Sequence, residues 1–291
     1  MKVLVLSLIL AIVLITEAGA QRDPQAMQVV DAFVQASGGR DLWQSTLSCY
    51  QEIRQFRYEK STALGKVDSV AEEHELRRFY KEPTYYLEVH LSSSPNGDDK
   101  FFGTDDQVRW SGTYGIVFSE SHGDFEAMEI ENDVHSEVYY MLQDRMLQDS
   151  LVYLSDSSFL SAEYHVLRAV RKYGLVQLYF FNKQTHLLDH IINPQVSRRF
   201  SYADYRIVRS EGGDRIVPFE ARSYLKDRLT LLTQVRFEVF DVEMDEMLFN
   251  SSVVHQMEYP LRVFPKSIGR EAGLSPSFQR NTFRLPDKND K

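Results

Sequence analysis

Strict alternation of apolar and polar side chains constrains this chain more than any other feature. In residues 85–91, Tyr85, Leu87, Val89 and Leu91 fall on one side and Tyr86, Glu88 and His90 on the other. A period of two gives a β-strand one dry face. The same period returns at Val176, Leu178 and Phe180, with Gln177 and Tyr179 opposite, and at Val235, Phe237 and Val239, alternating with Arg236 and Glu238. Residues 47–58, 69–80, 200–208, 216–225 and 230–242 read as further strands, and 101–102 and 108–110 as short ones. Gly65, Ser94-Pro95-Asn96-Gly97 and Glu211-Gly212-Gly213-Asp214 are turn signals between them. Sixteen tyrosines and eighteen phenylalanines supply the bulk that a wide sheet needs.

Two stretches follow a helical period instead. Asp23 is placed to cap a helix and Pro24 to open it, with Met27, Val30, Phe33 and Val34 on its apolar stripe. Gly38-Gly39 stands where a left-handed cap ends such an element, and Leu42 and Trp43 suggest a short continuation. Between residues 125 and 147, Ile130, Val134, Val138, Met141, Leu142 and Leu147 step by three to five, which predicts an amphipathic helix set between two blocks of strands. The expected class is therefore α+β, an antiparallel sheet with an N-terminal and a central helix.

The ends read differently. Lys2, the apolar run 3–15 and Ala18-Gly19-Ala20 have the layout of a secretory signal peptide, residues 1–20, and the run is short of the ~20 residues that a membrane-spanning helix needs. Removal of the signal leaves a chain expected to be soluble, in the periplasm or secreted. Cys49 is the sole cysteine, so no intramolecular disulfide forms, and it reads as a small core residue near the start of a strand. A net charge of -9 argues against a phosphate-binding surface and gives no reason to expect nucleic acid. Residues 21–259 are expected to hold the folded domain. Residues 260–291, with Pro265, Pro276 and Pro286, read as an extension that is partly disordered.

Catalytic signatures are missing: no nucleophile elbow, no phosphate-binding loop, no H-E-x-x-H and no dinucleotide fingerprint. His186, Asp189 and His190 could furnish metal ligands, but on a strand Asp189 would point away from the other two, and a neighbouring turn accounts for polar residues there. Asp98-Asp99 and Asp105-Asp106 lack the spaced oxygens of a calcium loop. Glu72-Glu73 beside His74 and Glu75 read either as paired acids, the only prompt for an unrecognised hydrolase, or as a solvated strand face. Asn250-Ser251-Ser252 is a glycosylation sequon. No enzyme, cofactor or metal is expected.

Four stretches, in this order, resemble the outer-membrane lipoprotein-sorting (LolA/LolB-like) periplasmic carrier family. They are the helix and double glycine at 30–40, the strand-turn-strand Tyr179-Phe180-Phe181-Asn182-Lys183-Gln184-Thr185-His186-Leu187-Leu188, the late hairpin with Asp204-Tyr205-Arg206 and Val217-Pro218-Phe219, and the strand at 235–242. The resemblance spans roughly 24–250 and implies a strongly curved half-barrel sheet, covered by the two helices around a hydrophobic cavity. It also implies a carrier or chaperone without catalysis, holding a lipoprotein acyl group or another apolar lipid. A membrane donor or acceptor protein would be its partner, and the carrier itself would be a monomer. Arg54 and Arg57 both lie where a basic residue of such carriers would stand, and the sequence does not choose between them. The residues expected to line the cavity are Leu87, Val89, Leu91, Val138, Met141, Leu142, Val176, Leu178, Phe180, Val235, Phe237 and Val239. A non-enzymatic envelope interaction protein, its core filled by its own side chains, is the alternative.

Overall fold

A computed structural model describes residues 22–59, 69–81, 85–91, 100–105, 109–113, 116–121, 150–159, 161–170, 174–210, 212–244 and 249. The expected signal segment, central helix and C-terminal extension lie outside these residues. Helix α1 runs Pro24–Ala36 and a short α2 runs Arg40–Gln44. The strands are β1 (Ser48–Glu59), β2 (Ser69–Lys81), β3 (Tyr85–Leu91), β4 (Lys100–Asp105), β5 (Arg109–Thr113), β6 (Ile116–Ser121) and β7 (Ser150–Phe159). Then follow β8 (Ala162–Val170), β9 (Val176–Asn182), β10 (Leu188–Asn193), β11 (Arg198–Ser210), β12 (Gly213–Leu225) and β13 (Arg228–Phe240).

All thirteen form one open antiparallel sheet, in the order β6-β5-β4-β3-β2-β1-β13-β12-β11-β10-β9-β8-β7. It consists of two meanders, β1 to β6 and β7 to β13, joined where β1 pairs with β13. The alternation read from the sequence located β3, β9 and β13. It passed over β6, β7, β8 and β10. In β7 the apolar Leu151-Val152-Tyr153-Leu154 gives way to Ser155-Asp156-Ser157-Ser158, and β10 is only six residues long beside a turn.

Sequence chemistry fixes both ends of α1. Asp23 accepts a hydrogen bond from Gln25 N at 2.9 Å, and Pro24 needs no donor of its own in the first turn. The second carboxylate oxygen of Asp23 accepts from Tyr153 N at 3.1 Å, while Asp23 N donates to Leu151 O, so the cap also ties the helix to the edge strand β7. At the other end Gly38 and Gly39 take φ of 126° and 97°, a region that side chains avoid. A Cβ on Gly38 would also lie 2.7 Å from Asp214 O. Asp23→Ala removes a helix cap and a strand contact together. An equilibrium urea titration should show a loss of about 1–2 kcal/mol.

The stripe Ala26, Val29, Val30, Phe33 and Val34 packs on Leu167 and Ala169 of β8, Tyr179 and Phe181 of β9, Leu188 and Ile191 of β10, and Val217 and Phe219 of β12. The rings of Phe33 and Phe181 are 5.4 Å apart. Cys49 belongs to this core and is buried, as the sequence indicated. Its Sγ lies 3.4 Å from Glu238 Oε1, and burial, then the Glu238 charge, push the thiol well above its usual range. Such a thiol stays protonated and inert.

Candidate functional site

Paired residues of an antiparallel ladder point to the same side of the sheet, so the registers sort every side chain by face. On the side that carries α1, the strands β8 to β12 are apolar and packed. The same side of β1 to β4 is largely polar around a buried Ile53–Leu76 pair. Gln51 faces Arg78, which faces Glu88, and Gln55 faces His74. Gln51 Nε2 donates to Glu238 Oε1 at 2.8 Å. The Glu88 carboxylate accepts from Arg78 Nε, from Tyr86 OH at 2.7 Å and from His90 Nε2 at 2.7 Å. Burial alone would raise its pKa, but the guanidinium and these hydrogen bonds outweigh it and hold the carboxyl far below the usual range.

The side away from α1 is apolar in two places. Tyr50, Phe79, Leu87, Val89, Phe101 and Trp110 form one cluster, and Val242, Met244 and Phe249, beyond the last strand, pack into it. Trp110 Nε1 donates to Phe249 O at 3.1 Å and Lys81 Nζ to Met244 O at 3.1 Å, so side chains hold this segment against the sheet. Tyr164, Val166 and Phe180 form the other cluster, with Leu178 and Ile192 against them.

The residues expected to line a cavity divide among these surfaces. Leu87, Val89, Leu91, Phe237 and Val239 come together in the cluster that holds Val242 and Met244. Leu178 and Phe180 lie in the second cluster, and Val176, two residues before Leu178 on β9, shares its side. Val235 departs from Phe237 and Val239. Glu52 pairs with Phe237 and Ile53 with Val235, so β13 carries one extra residue at this point. That bulge turns Val235 to the α1 side, where it packs on the helix core. Val138, Met141 and Leu142 lie outside the described residues.

An open cleft of about 180 Å³ lies between α1 and the sheet, lined by Gln25, Gln28, Val29, Ala32, His165, Phe181 and His186. Small-molecule sites begin near ~300 Å³, so this cleft alone is too small for a lipid chain. The sequence did not single out His165. Its Nδ1 is 3.0 Å from Asp156 Oδ1, which also meets Tyr153 OH, and Lys183 Nζ lies 2.5 Å from the other Asp156 oxygen.

Other nominated groups have ordinary structural partners. Asp189 accepts from Asn182 Nδ2 at 2.9 Å, His190 is buried with Nδ1 2.9 Å from Ser201 Oγ, and His186 is exposed in the β9–β10 turn. Burial pushes the His190 pKa down. Among the described residues no three His, Cys, Asp or Glu side chains are grouped to hold a metal. Glu73 pairs with Arg54, Glu75 with Arg236 at 3.0 Å, and Glu72 with Arg57 at 3.7 Å. Asp98, Asp99, Asp106 and the sequon at Asn250 lie outside the described residues.

Neither a protein-family model nor a curated protein matches the sequence. Solved structures do. A DUF1329 family protein from Desulfovibrio piger superposes with a TM-score of 0.53 at 13% identity, over 78% of this chain and 98% of that one. A domain from Vibrio parahaemolyticus, named for outer membrane lipoprotein sorting, superposes at 0.50 and 11% identity, over 79% and 98%. The chain shares the fold of these two proteins. A LolA superfamily protein from Nitrosomonas europaea also matches over 78% and 98%, at 9% identity and a TM-score of 0.48. The antiparallel sheet implied by the resemblance is found as an open sheet, and the central helix expected to cover it lies outside the described residues. Among the described residues no helix is long and apolar enough to cross a membrane.

Proposed function

We propose that this protein is a non-catalytic carrier or chaperone of the periplasm, holding a lipoprotein acyl group or another apolar lipid against a half-barrel sheet. The observation that carries the reading is the pair of apolar clusters on the side of an open sheet that α1 leaves. Leu87, Val89, Leu91, Val176, Leu178, Phe180, Phe237 and Val239 are the described residues assigned to the ligand on that side. Val235 is assigned to it on the other, and Val138, Met141 and Leu142 are assigned from the sequence. An acyl chain gains about 0.8 kcal/mol for each methylene it buries, so even a modest apolar cavity against the sheet binds reversibly. The partners of this reading are the lipid and a membrane donor or acceptor protein, with the carrier itself a monomer.

One observation favours a second reading, an envelope interaction protein with a filled core. Leu87 and Val89 are 0% exposed, and the chain's own Val242, Met244 and Phe249 pack against their cluster. Native mass spectrometry of residues 21–291 from the periplasm of the native host, followed by solvent extraction, separates the two. A stoichiometric acylated species is the expected result and names the cargo class. A bare protein mass, together with no uptake of a fluorescent fatty acid, would overturn the carrier reading in favour of the filled core.

A further inference from the structure

Two short patterns of the same kind stand on neighbouring strands, Glu72-Glu73-His74 on β2 and Glu88-Val89-His90 on β3. On a strand, residues two apart share a face, so each histidine lies beside its own glutamate. His74 Nε2 is 2.9 Å from Glu72 Oε1 and His90 Nε2 is 2.7 Å from Glu88 Oε1. Leu76 pairs with His90 across the ladder, which puts His74 on the adjacent diagonal of the same face. The two imidazoles stand with ring centroids 5.9 Å apart and planes at 67°. Phe102 packs on the His90 ring at 5.0 Å. Both histidine side chains keep about a fifth of their surface open, 22% and 21%.

We propose that His74 and His90 form a two-imidazole clip for one borderline divalent transition-metal ion, Cu²⁺ or Zn²⁺. A carboxylate on one ring nitrogen fixes a metal-ligating histidine as the tautomer whose other nitrogen carries the lone pair. Here both glutamates engage Nε2, and no hydrogen bond among the described residues takes either Nδ1. Metal–nitrogen bonds of about 2.0–2.1 Å place two rings on one ion with centroids about 5–6 Å apart, the separation that the pair already has. The two histidines make a two-ligand site, and water fills the remaining positions. Charge is not what draws the ion. Glu72 is countered by Arg57 at 3.7 Å and Glu88 by Arg78, and Lys100 pairs with His90 across β4. Affinity rests on the imidazole nitrogens, so the site selects for metals that prefer nitrogen over oxygen.

The test is calorimetric titration of the tag-free chain, residues 21–291, with CuCl₂, ZnCl₂, CaCl₂ and MgCl₂, with electron paramagnetic resonance of the copper form. One Cu²⁺ per chain is expected, bound more tightly than Zn²⁺, with nitrogen hyperfine structure from two imidazoles and no heat from Ca²⁺ or Mg²⁺. H74Q and H90Q should each weaken binding at least about tenfold, and E72Q about tenfold through loss of the ring's orientation. H74Q is read beside H90Q, with the thermal midpoint of each variant as the check on folding, because His74 meets Glu72, the His90 ring and, across the ladder, Gln55. Absence of stoichiometric copper binding would overturn the proposal. So would binding that H74Q leaves unchanged, or binding lost instead in H165Q or H186Q at the cleft beside α1.

Discussion

Replacing Arg215 with alanine is expected to destabilise the protein by about 3–5 kcal/mol, lowering the thermal midpoint by roughly 10 °C for a chain of this size. The guanidinium is completely buried, yet it is saturated with partners. It donates to Thr46 Oγ1 at 3.0 and 2.7 Å, to Leu42 O at 3.3 Å, to Ser210 Oγ and to Asp241 Oδ2 at 2.7 Å. Its Cζ lies over two aromatic rings, 4.9 Å from the centroid of Phe240 and 5.6 Å from that of Trp43. One side chain thus joins α2, the β11–β12 turn and the end of β13. The alanine variant leaves a cavity where the guanidinium stood, strips the Thr46 hydroxyl of the two donors that it accepts from and leaves Asp241 without its cation. Asp241→Asn is the milder companion, costing about 1–3 kcal/mol, because the buried cation keeps its neutral acceptors while Asp241 is a third exposed. Urea titrations of both variants check this. A loss below about 1 kcal/mol for Arg215→Ala would mean that the network is incidental.

The second large effect is expected at Gly103 on β4. A Cβ added there would lie 2.3 Å from Trp110 Cζ2 and 2.6 Å from Cε2, since the indole lies flat across the glycine of the paired strand. Trp110 is 2% exposed and holds Phe249 through its ring nitrogen. Gly103→Val must therefore push the indole out, break that hydrogen bond and unseat the segment that contains Val242 and Met244. Overpacking and an orphaned carbonyl together amount to about 3–5 kcal/mol. A double-mutant cycle isolates the cause. Gly103→Ala should be costly in the native background and close to neutral beside Trp110→Ala, because alanine otherwise suits a strand better than glycine. Equal costs in the two backgrounds would rule out the indole as the reason. Trp43 is the only other tryptophan, so emission from Trp110 can be followed in a Trp43→Phe protein.

These two positions show where sequence reading reached its limit. Val30, Phe33 and Val34 of the helical stripe, the cap at Asp23 and the double glycine were legible because their signals are local and periodic, whereas Ala26 and Val29 complete the buried stripe where the sequence had placed Met27. So were the faces of β3 and β9, where alternation continues without interruption. Arg215 gave no signal, because what makes it a core residue is Thr46, 169 positions away, and Asp241, 26 positions away. Trp110 was legible as part of a short strand, but its seat on Gly103 exists only once the β4–β5 ladder brings the two together. Val235 parts from the face of Phe237 and Val239 because a bulge adds a residue without leaving a mark in the hydrophobic pattern. At the candidate site the apolar residues were legible, but which of them share a surface depended on ladder registers. The His74–His90 pair was present as two Glu-x-His patterns, whose proximity is a property of the pairing alone.

The junction of the two meanders sets the order in which this chain can be made. Cys49 pairs with Phe240 and Arg57 with Leu231, so the contacts that unite the sheet have sequence separations approaching two hundred residues. Each meander assembles from neighbours, but their union must wait until β13 has emerged. Long loops are closed before these contacts return any stability, which places the protein among slow folders of high contact order. In the interval β1 and β13 each present an unpaired edge, and such edges recruit strands from other molecules. The sheet is thus most exposed to aggregation late in its synthesis, and whatever shields those two edges until they meet governs the yield of native protein.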